Sequence, residues 1–251
     1  MSEFKHPLGN FKINFLKSLI KILNYFSLNF LSFFFQMEKK NSELIISSSF
    51  HAPWKEDKIF SKFYSQINNH TLLDTKRLYT LWQMSNLLKN YKGDILDIGC
   101  LKGGSGMTMS RNNKKGNTYL IDTFSGLIEN ENYHKKEHFV FNKIENVKKK
   151  VSSLNLKKTY VLKGVFPKDF KKKFKNKKFK LCHIDVNTYN STSQSFNFIE
   201  KKIIKNGIII FDDYGIYSVI GVKKFVDKLI RRNKNFLFVN NYMGQCILIK
   251  K

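Results

Sequence analysis

The sequence predicts an α/β fold. The expected form is a doubly wound, mostly parallel sheet, with helices before it and an antiparallel hairpin at its end. Five short apolar runs alternate with helical stretches, as strands buried on both faces require. Two last runs are joined only by Asn240–Gln245, too short for a parallel crossover. A glycine-rich loop follows the first run, and acidic residues end several of the later ones.

The elements follow in order. Residues 11–36 form a long apolar stretch interrupted by lysine. Phe15, Ile20, Ile22, Leu23 and Phe26 can share one helix face, with Lys17, Lys21 and Asn24 elsewhere. The stretch is too short and too polar for a confident membrane span, which needs about 20 apolar residues. A signal peptide would need a small-residue cleavage site, and Gln36-Met-Glu follows instead. Two readings stay open: a basic amphipathic helix on a membrane surface, or a helix covering this protein or a second copy. Lys39–Ser49 reads as a linker. Trp54–Ile67 and Leu72–Leu88 have helical spacing.

The strand runs are Asp94–Ile98, Thr118–Ile121, Tyr160–Leu162, Leu181–Ile184 and Ile208–Phe211. Helices are expected over Ser105–Arg111, Lys136–Ser153, Asn190–Ile204 and Val219–Arg232, with Ser191 as a cap. Phe236–Val239 and Cys246–Ile249 form the hairpin. The domain division is 1–40, an amphipathic segment; 41–92, a helical lead-in; and 93–251, the α/β body.

Composition narrows the function classes. The chain has 251 residues, 42% of them hydrophobic, enough for a sizeable core. Forty-five basic residues against 19 acidic give +26. Arginine occurs only at 77, 111, 231 and 232. Evolved nucleic-acid sites favour arginine for bidentate contacts, so the lysine surplus reads first as compositional bias on a solvated surface. Cys100, Cys182 and Cys246 are distant and unpaired by motif, which excludes a disulfide framework or zinc site and suits a reducing, cytoplasmic compartment.

Asp97-Ile-Gly-Cys-Leu-Lys-Gly-Gly-Ser105 leaves a strand and opens a helix. Gly99 permits a tight turn, and Gly103 and Gly104 let backbone approach a ligand. Asp122 ends the next strand, 25 residues after Asp97, where a carboxylate can take both hydroxyls of a ribose. The spacing differs from the dinucleotide pattern and fits S-adenosylmethionine, a cation that needs no phosphate cradle. An ordinary strand-to-helix turn and a capping aspartate are the plainer alternatives. Asp185, Asp212 and Asp213 would converge beyond the strand ends. They would repel unless a cation joined them, and oxygen ligands suit Mg²⁺. His183 reads as a core histidine. The loop Ser125–Phe139, with His134 and His138, either covers a substrate or is plain surface.

These residues together resemble the TylF-type macrocin O-methyltransferase family, class I S-adenosylmethionine-dependent methyltransferases with a Rossmann-like fold. The matching stretches are His70-Thr-Leu-Leu with Arg77, Asp97–Ser105, Tyr119–Gly126, His183–Tyr189, Gly207–Gly215 and Gly221–Asp227. They cover residues 70 to 230, outside the N-terminal segment. The resemblance implies S-adenosylmethionine, Mg²⁺ and methylation of a sugar hydroxyl. By position, Asp97, Gly99, Gly103 and Ser105 would line the methionine end of the cofactor, and Asp122 would bind ribose. Thr123, Phe124, Val165 and Phe166 would surround adenine, with Thr71 and Leu72 as a cover. Asp185, Asp212 and Asp213 would hold the metal, with Asp185 catalytic. Two residues depart from the family pattern: Asp97 where Glu is frequent, and Asn187 where a second Asp is usual.

The sequence thus points to an O-methyltransferase acting on a glycan, a sugar nucleotide or a glycosylated metabolite. Alternatives are a nucleic-acid methyltransferase, motivated by the charge, and a non-catalytic membrane-associated scaffold, motivated by residues 11–36. Nucleic acid is not the expected partner. A homo-oligomer and a peripheral contact at the inner membrane surface remain as expectations.

Overall fold

The computed structural model describes residues 10–35, 51–131, 134–141, 143–216 and 218–251. The expected linker Lys39–Ser49 lies outside them. The chain divides into two compact units, Met1–His51 and Ala52–Lys251. In the first, Asn10–Phe35 forms a single helix, α1.

The second unit takes in the helical lead-in from Ala52 onward. It contains helices α2 (Pro53–Glu56), α3 (Lys58–Ile67), α4 (Thr75–Leu87), α5 (Gly104–Arg111), α6 (Ile144–Ser153), α7 (Tyr189–Ile199) and α8 (Ile220–Arg232). Its strands are β1 (Asp94–Ile98), β2 (Thr118–Asp122), β3 (Thr159–Lys163), β4 (Phe179–Ile184), β5 (Ile203–Phe211), β6 (Phe236–Asn240) and β7 (Cys246–Lys250). They form one sheet in the order β3-β2-β1-β4-β5-β7-β6. The first five are parallel, and β7 pairs antiparallel with both β5 and β6. The doubly wound sheet and its terminal hairpin are therefore present.

Burial explains the sequence pattern. Every residue of β1 and β4 is buried, including Asp94, Asp97, Lys180 and His183 among their apolar residues, whereas the edge strands β3 and β6 are largely open. A core of Phe166, Phe174, Phe196, Phe211 and Phe225 forms one cluster, and Phe60, Trp82, Met107, Leu120 and Val147 form another.

Several boundaries differ from expectation. Asp57 separates α2 from α3, its side chain accepting from Phe60 N. α4 begins at Thr75, because Asp74 accepts from the backbone N–H groups of Lys76 and Arg77. The helix expected over Lys136–Ser153 starts only at Ile144, since the preceding residues belong to the loop described below. α7 stops at Ile199, and β5 begins earlier than expected, at Ile203. Thr188, rather than Ser191, caps α7, accepting from Ser191 N.

The sheet order reverses between β1 and β4, a topological switch point where ligands of open α/β sheets bind. Ile98 lies opposite Ile184, and Ile184 opposite Phe211. The residues that follow, Gly99, Asp185 and Asp212, therefore leave the sheet side by side.

Candidate active site

Gly99 lets the first two of these strand ends meet. A Cβ there would lie 1.8 Å from the Asp185 carbonyl oxygen, and its φ of +86° suits glycine. Gly104 plays a similar part at the start of α5. A Cβ would come within 2.6 Å of the His70 carbonyl, so the His70–Leu72 segment can lie across the loop.

Beyond these strand ends is a cleft of about 280 Å³. Of the residues expected at the cofactor, Thr71, Leu72, Gly99, Ser105, Asp122, Thr123 and Phe166 line it, as do Asp185, Asp212 and Asp213. Asp97, Gly103, Phe124 and Val165 do not. Asp97 is fully buried, and its carboxylate accepts from Ser105 Oγ at 2.7 Å and meets His183 Nδ1 at 2.7 Å. A Cβ on Gly103 would strike Val147 and Met107, so this glycine serves helix packing. Phe124 is fully buried in the cluster around Phe60 and Trp82. Val165 is tied to Asp169 through its backbone N–H.

Asp122 is held ready in the cleft. Its Oδ2 accepts from Leu101 N at 2.8 Å and its Oδ1 from Phe124 N at 2.7 Å. Burial nevertheless raises its pKa, so more hydrogen-bond donors would stabilise its charge.

The acidic cluster is not joined only by an external cation, as the sequence suggested. Arg77, fixed by Asp74 at 2.8 Å through Nε, donates from Nη1 to Asp212 Oδ2 and, at 3.2 Å, to Asp213 Oδ1. Asp212 Oδ1 also accepts from Gln245 Nε2 at 2.7 Å and lies 3.3 Å from His183 Nε2. Burial pushes the Asp212 carboxyl up, but His183, Arg77 and Gln245 outweigh it and hold the pKa low. Burial likewise opposes charge on His183, yet Asp212 and Asp97 raise its pKa well above 6.5. His183 is thus a core residue, as expected, whose two carboxylate neighbours favour its protonated form.

Asp185 and Asp213 are compensated only in part, by Arg77 and His183. Burial, then Asp213 and Asp212, raises the Asp185 pKa well above the carboxylate range. Burial and Asp212 push Asp213 up to about 6. Two facing acids that resist simultaneous ionisation are what a hard cation would relieve. Ligand atoms of His183, Asp185 and Asp212 lie within 4.8 Å of one another, but both His183 nitrogens are already engaged. The donor set therefore fits an oxygen-bound cation, with Asp185 and Asp213 the most available ligands. Asp212 retains only unused lone-pair capacity on Oδ2.

The loop after β2 forms another wall. Glu129 accepts from Thr188 Oγ1 at 2.6 Å and Asn190 Nδ2 at 2.9 Å, while Glu131 accepts from Tyr189 N at 2.6 Å. These carboxylates also suit the positive N-terminal end of α7. Backbone bonds join Glu131 to His134, which lines the cleft. Neither ring nitrogen of His134 has a hydrogen-bond partner. Burial followed by His138 lowers its pKa, with the Ser218 backbone opposing the shift. His134 and His138 were visible as loop residues. Arg77 appeared in the sequence only through resemblance, and Gln245, Glu129 and Glu131 carried no motif.

Comparison with solved structures agrees with this architecture. The O-methyltransferase NovP matches with a TM-score of 0.59 at 18% identity, over 72% of this chain and 82% of that one. CalS11, a calicheamicin methyltransferase, matches with a TM-score of 0.59 at 11% identity, over 81% and 99%. An O-methyltransferase from Bacillus cereus in complex with SAH matches with a TM-score of 0.53 at 16% identity, over 80% and 92%. At these identities the likeness shows the fold. No curated protein sequence matches the chain. The family profile of macrocin-O-methyltransferase (TylF) matches residues 32–237, most of the sequence and all of the site described above except Gln245. The chain belongs to the TylF macrocin O-methyltransferase family and is an S-adenosylmethionine-dependent O-methyltransferase.

Proposed function

We propose that the protein methylates a sugar hydroxyl of a glycan, a sugar nucleotide or a glycosylated metabolite, assisted by Mg²⁺ at Asp185, Asp212 and Asp213. The observation that carries this reading is the Asp185–Asp213 pair, whose charge Arg77 and His183 only partly offset and which shares one cleft with Asp122. The sugar acceptor rests on family membership.

When bound, S-adenosylmethionine supplies a methyl carbon activated by its sulfonium. Asp122 is positioned to accept hydrogen bonds from its ribose, with Leu101 N and Phe124 N holding the carboxylate in place. Thr71, Leu72 and Phe166 supply flanking surface. When bound, Mg²⁺ supplies a Lewis acid that favours an acceptor alkoxide. Asp185 lines the cleft and, in its ionised form, is placed to take the hydroxyl proton as the new C–O bond forms and the methyl–sulfonium bond breaks, releasing S-adenosylhomocysteine. Arg77 fixes Asp212 and Asp213, so the acidic wall is preorganised. Much of the rate would come from orientation, worth up to roughly 7–11 kcal/mol in favourable systems.

A labelled-methyl transfer screen against sugar nucleotides and glycans, with Mg²⁺ and with chelator, tests this. The expected result is Mg²⁺-dependent labelling of a sugar oxygen. Asp185→Ala should abolish turnover while S-adenosylhomocysteine affinity changes little. Full activity of that variant in chelator would defeat the metal-assisted scheme.

A further inference from the structure

We propose that α1 lies flat on an anionic phospholipid surface and docks the enzyme there as a peripheral protein. At 3.6 residues per turn, Phe15, Leu19, Ile22, Leu23, Phe26 and Phe30 fall within an arc of about 100°. Their side chains are open: Phe15 and Phe30 are 64% exposed and Phe26 67%. Lys21 and Asn24 lie on the opposite arc, where Lys21 is exposed; exposed Ser18 and Tyr25 flank it, and Lys12 falls in line with Phe30 at the start of the helix. A stripe of this width, lined by Phe and Leu and opposed by a lysine-bearing face, fits an interfacial helix.

Charge selects the occupant. The sequence of α1 has lysine at 12, 17 and 21 and neither Asp nor Glu, within a chain of net charge +26. An anionic headgroup layer compensates those lysines. A second copy of the helix would bring only more lysine. Crossing the bilayer is a separate matter, and no helix among the described residues is long and apolar enough for it.

Full-length protein should be sedimented with vesicles of phosphatidylcholine containing about 30% phosphatidylglycerol, and with phosphatidylcholine alone. Binding should need the anionic lipid and weaken with salt. Lys17→Gln combined with Lys21→Gln should lower the partition coefficient by about 30-fold, at about 1 kcal/mol per lysine. Leu19→Asp combined with Phe26→Asp should abolish binding, with S-adenosylhomocysteine binding unchanged as proof of a folded catalytic unit. Three results would overturn the proposal: no binding to anionic vesicles, equal binding to neutral ones, or a lipid-free dimer that Phe26→Asp dissociates. None of these bears on the methyltransferase reading.

Discussion

His183 shows how one side chain organises the acidic wall. Its ring stands between Asp97 and Asp212, with no exposed surface. Removing it leaves two buried acids short of a partner, so His183→Leu should cost about 3–5 kcal/mol, measured by urea unfolding at pH 6. Unchanged stability would show that the pair needs no cation. The pH dependence has a definite sign. Because the folded pKa is raised, the proton stabilises the fold fully below 6.5 and is lost as pH rises through the folded value. The deficit of the variant should therefore shrink in alkaline buffer. Asp122→Ala should weaken S-adenosylhomocysteine binding by about 10- to 100-fold by calorimetry, since hydrogen bonds to a charged acceptor contribute about 1.5–3 kcal/mol. Unchanged affinity would remove the ribose assignment. The acids of the site were legible because each ends an apolar run. Arg77 was not legible from pattern alone, since it meets Asp212 across 135 residues of sequence. Asp97 looked like a ligand contact because its burial depends on Ser105 and His183, which only the fold brings to it.

At the scale of elements, the loop after β2 is fastened to the start of α7 and closely met by α8. Gly221 of α8 leaves room for Glu131; a Cβ there would lie 1.7 Å from Glu131 Oε1. Gly221→Ala should dislodge the Glu131 side chain, the strap that ties this loop to α7, and speed amide exchange across the described residues of the loop. Turnover should fall by up to about 10²-fold, the scale of a 1 Å misplacement. Unaltered exchange would mean that the strap is not what holds the loop. Strands were read well because apolar runs buried on both faces leave a plain signature. Loop geometry was not, because Glu129 and Glu131 act through partners on a different element. The same cause shortened the helix expected from Lys136. Leu127 N bonds the Lys136 carbonyl, and a Cβ on Gly126 would lie 2.2 Å from it, so this stretch serves the loop.

Across the whole molecule, charge is divided by function. The chain carries 45 basic and 19 acidic residues, yet Asp122, Asp185, Asp212 and Asp213 all face one cleft. Composition alone read first as a solvated surface, while these few acids gather where the cationic donor of an S-adenosylmethionine-dependent methyltransferase would sit, with a divalent ion proposed beside it. A crystal structure of the protein bound to S-adenosylhomocysteine tests that division most directly. The ribose hydroxyls should lie within hydrogen-bonding distance of Asp122, with the sulfur turned toward Asp185 and Asp213. A ligand seated elsewhere, or one whose sulfur points away from those two acids, would contradict it.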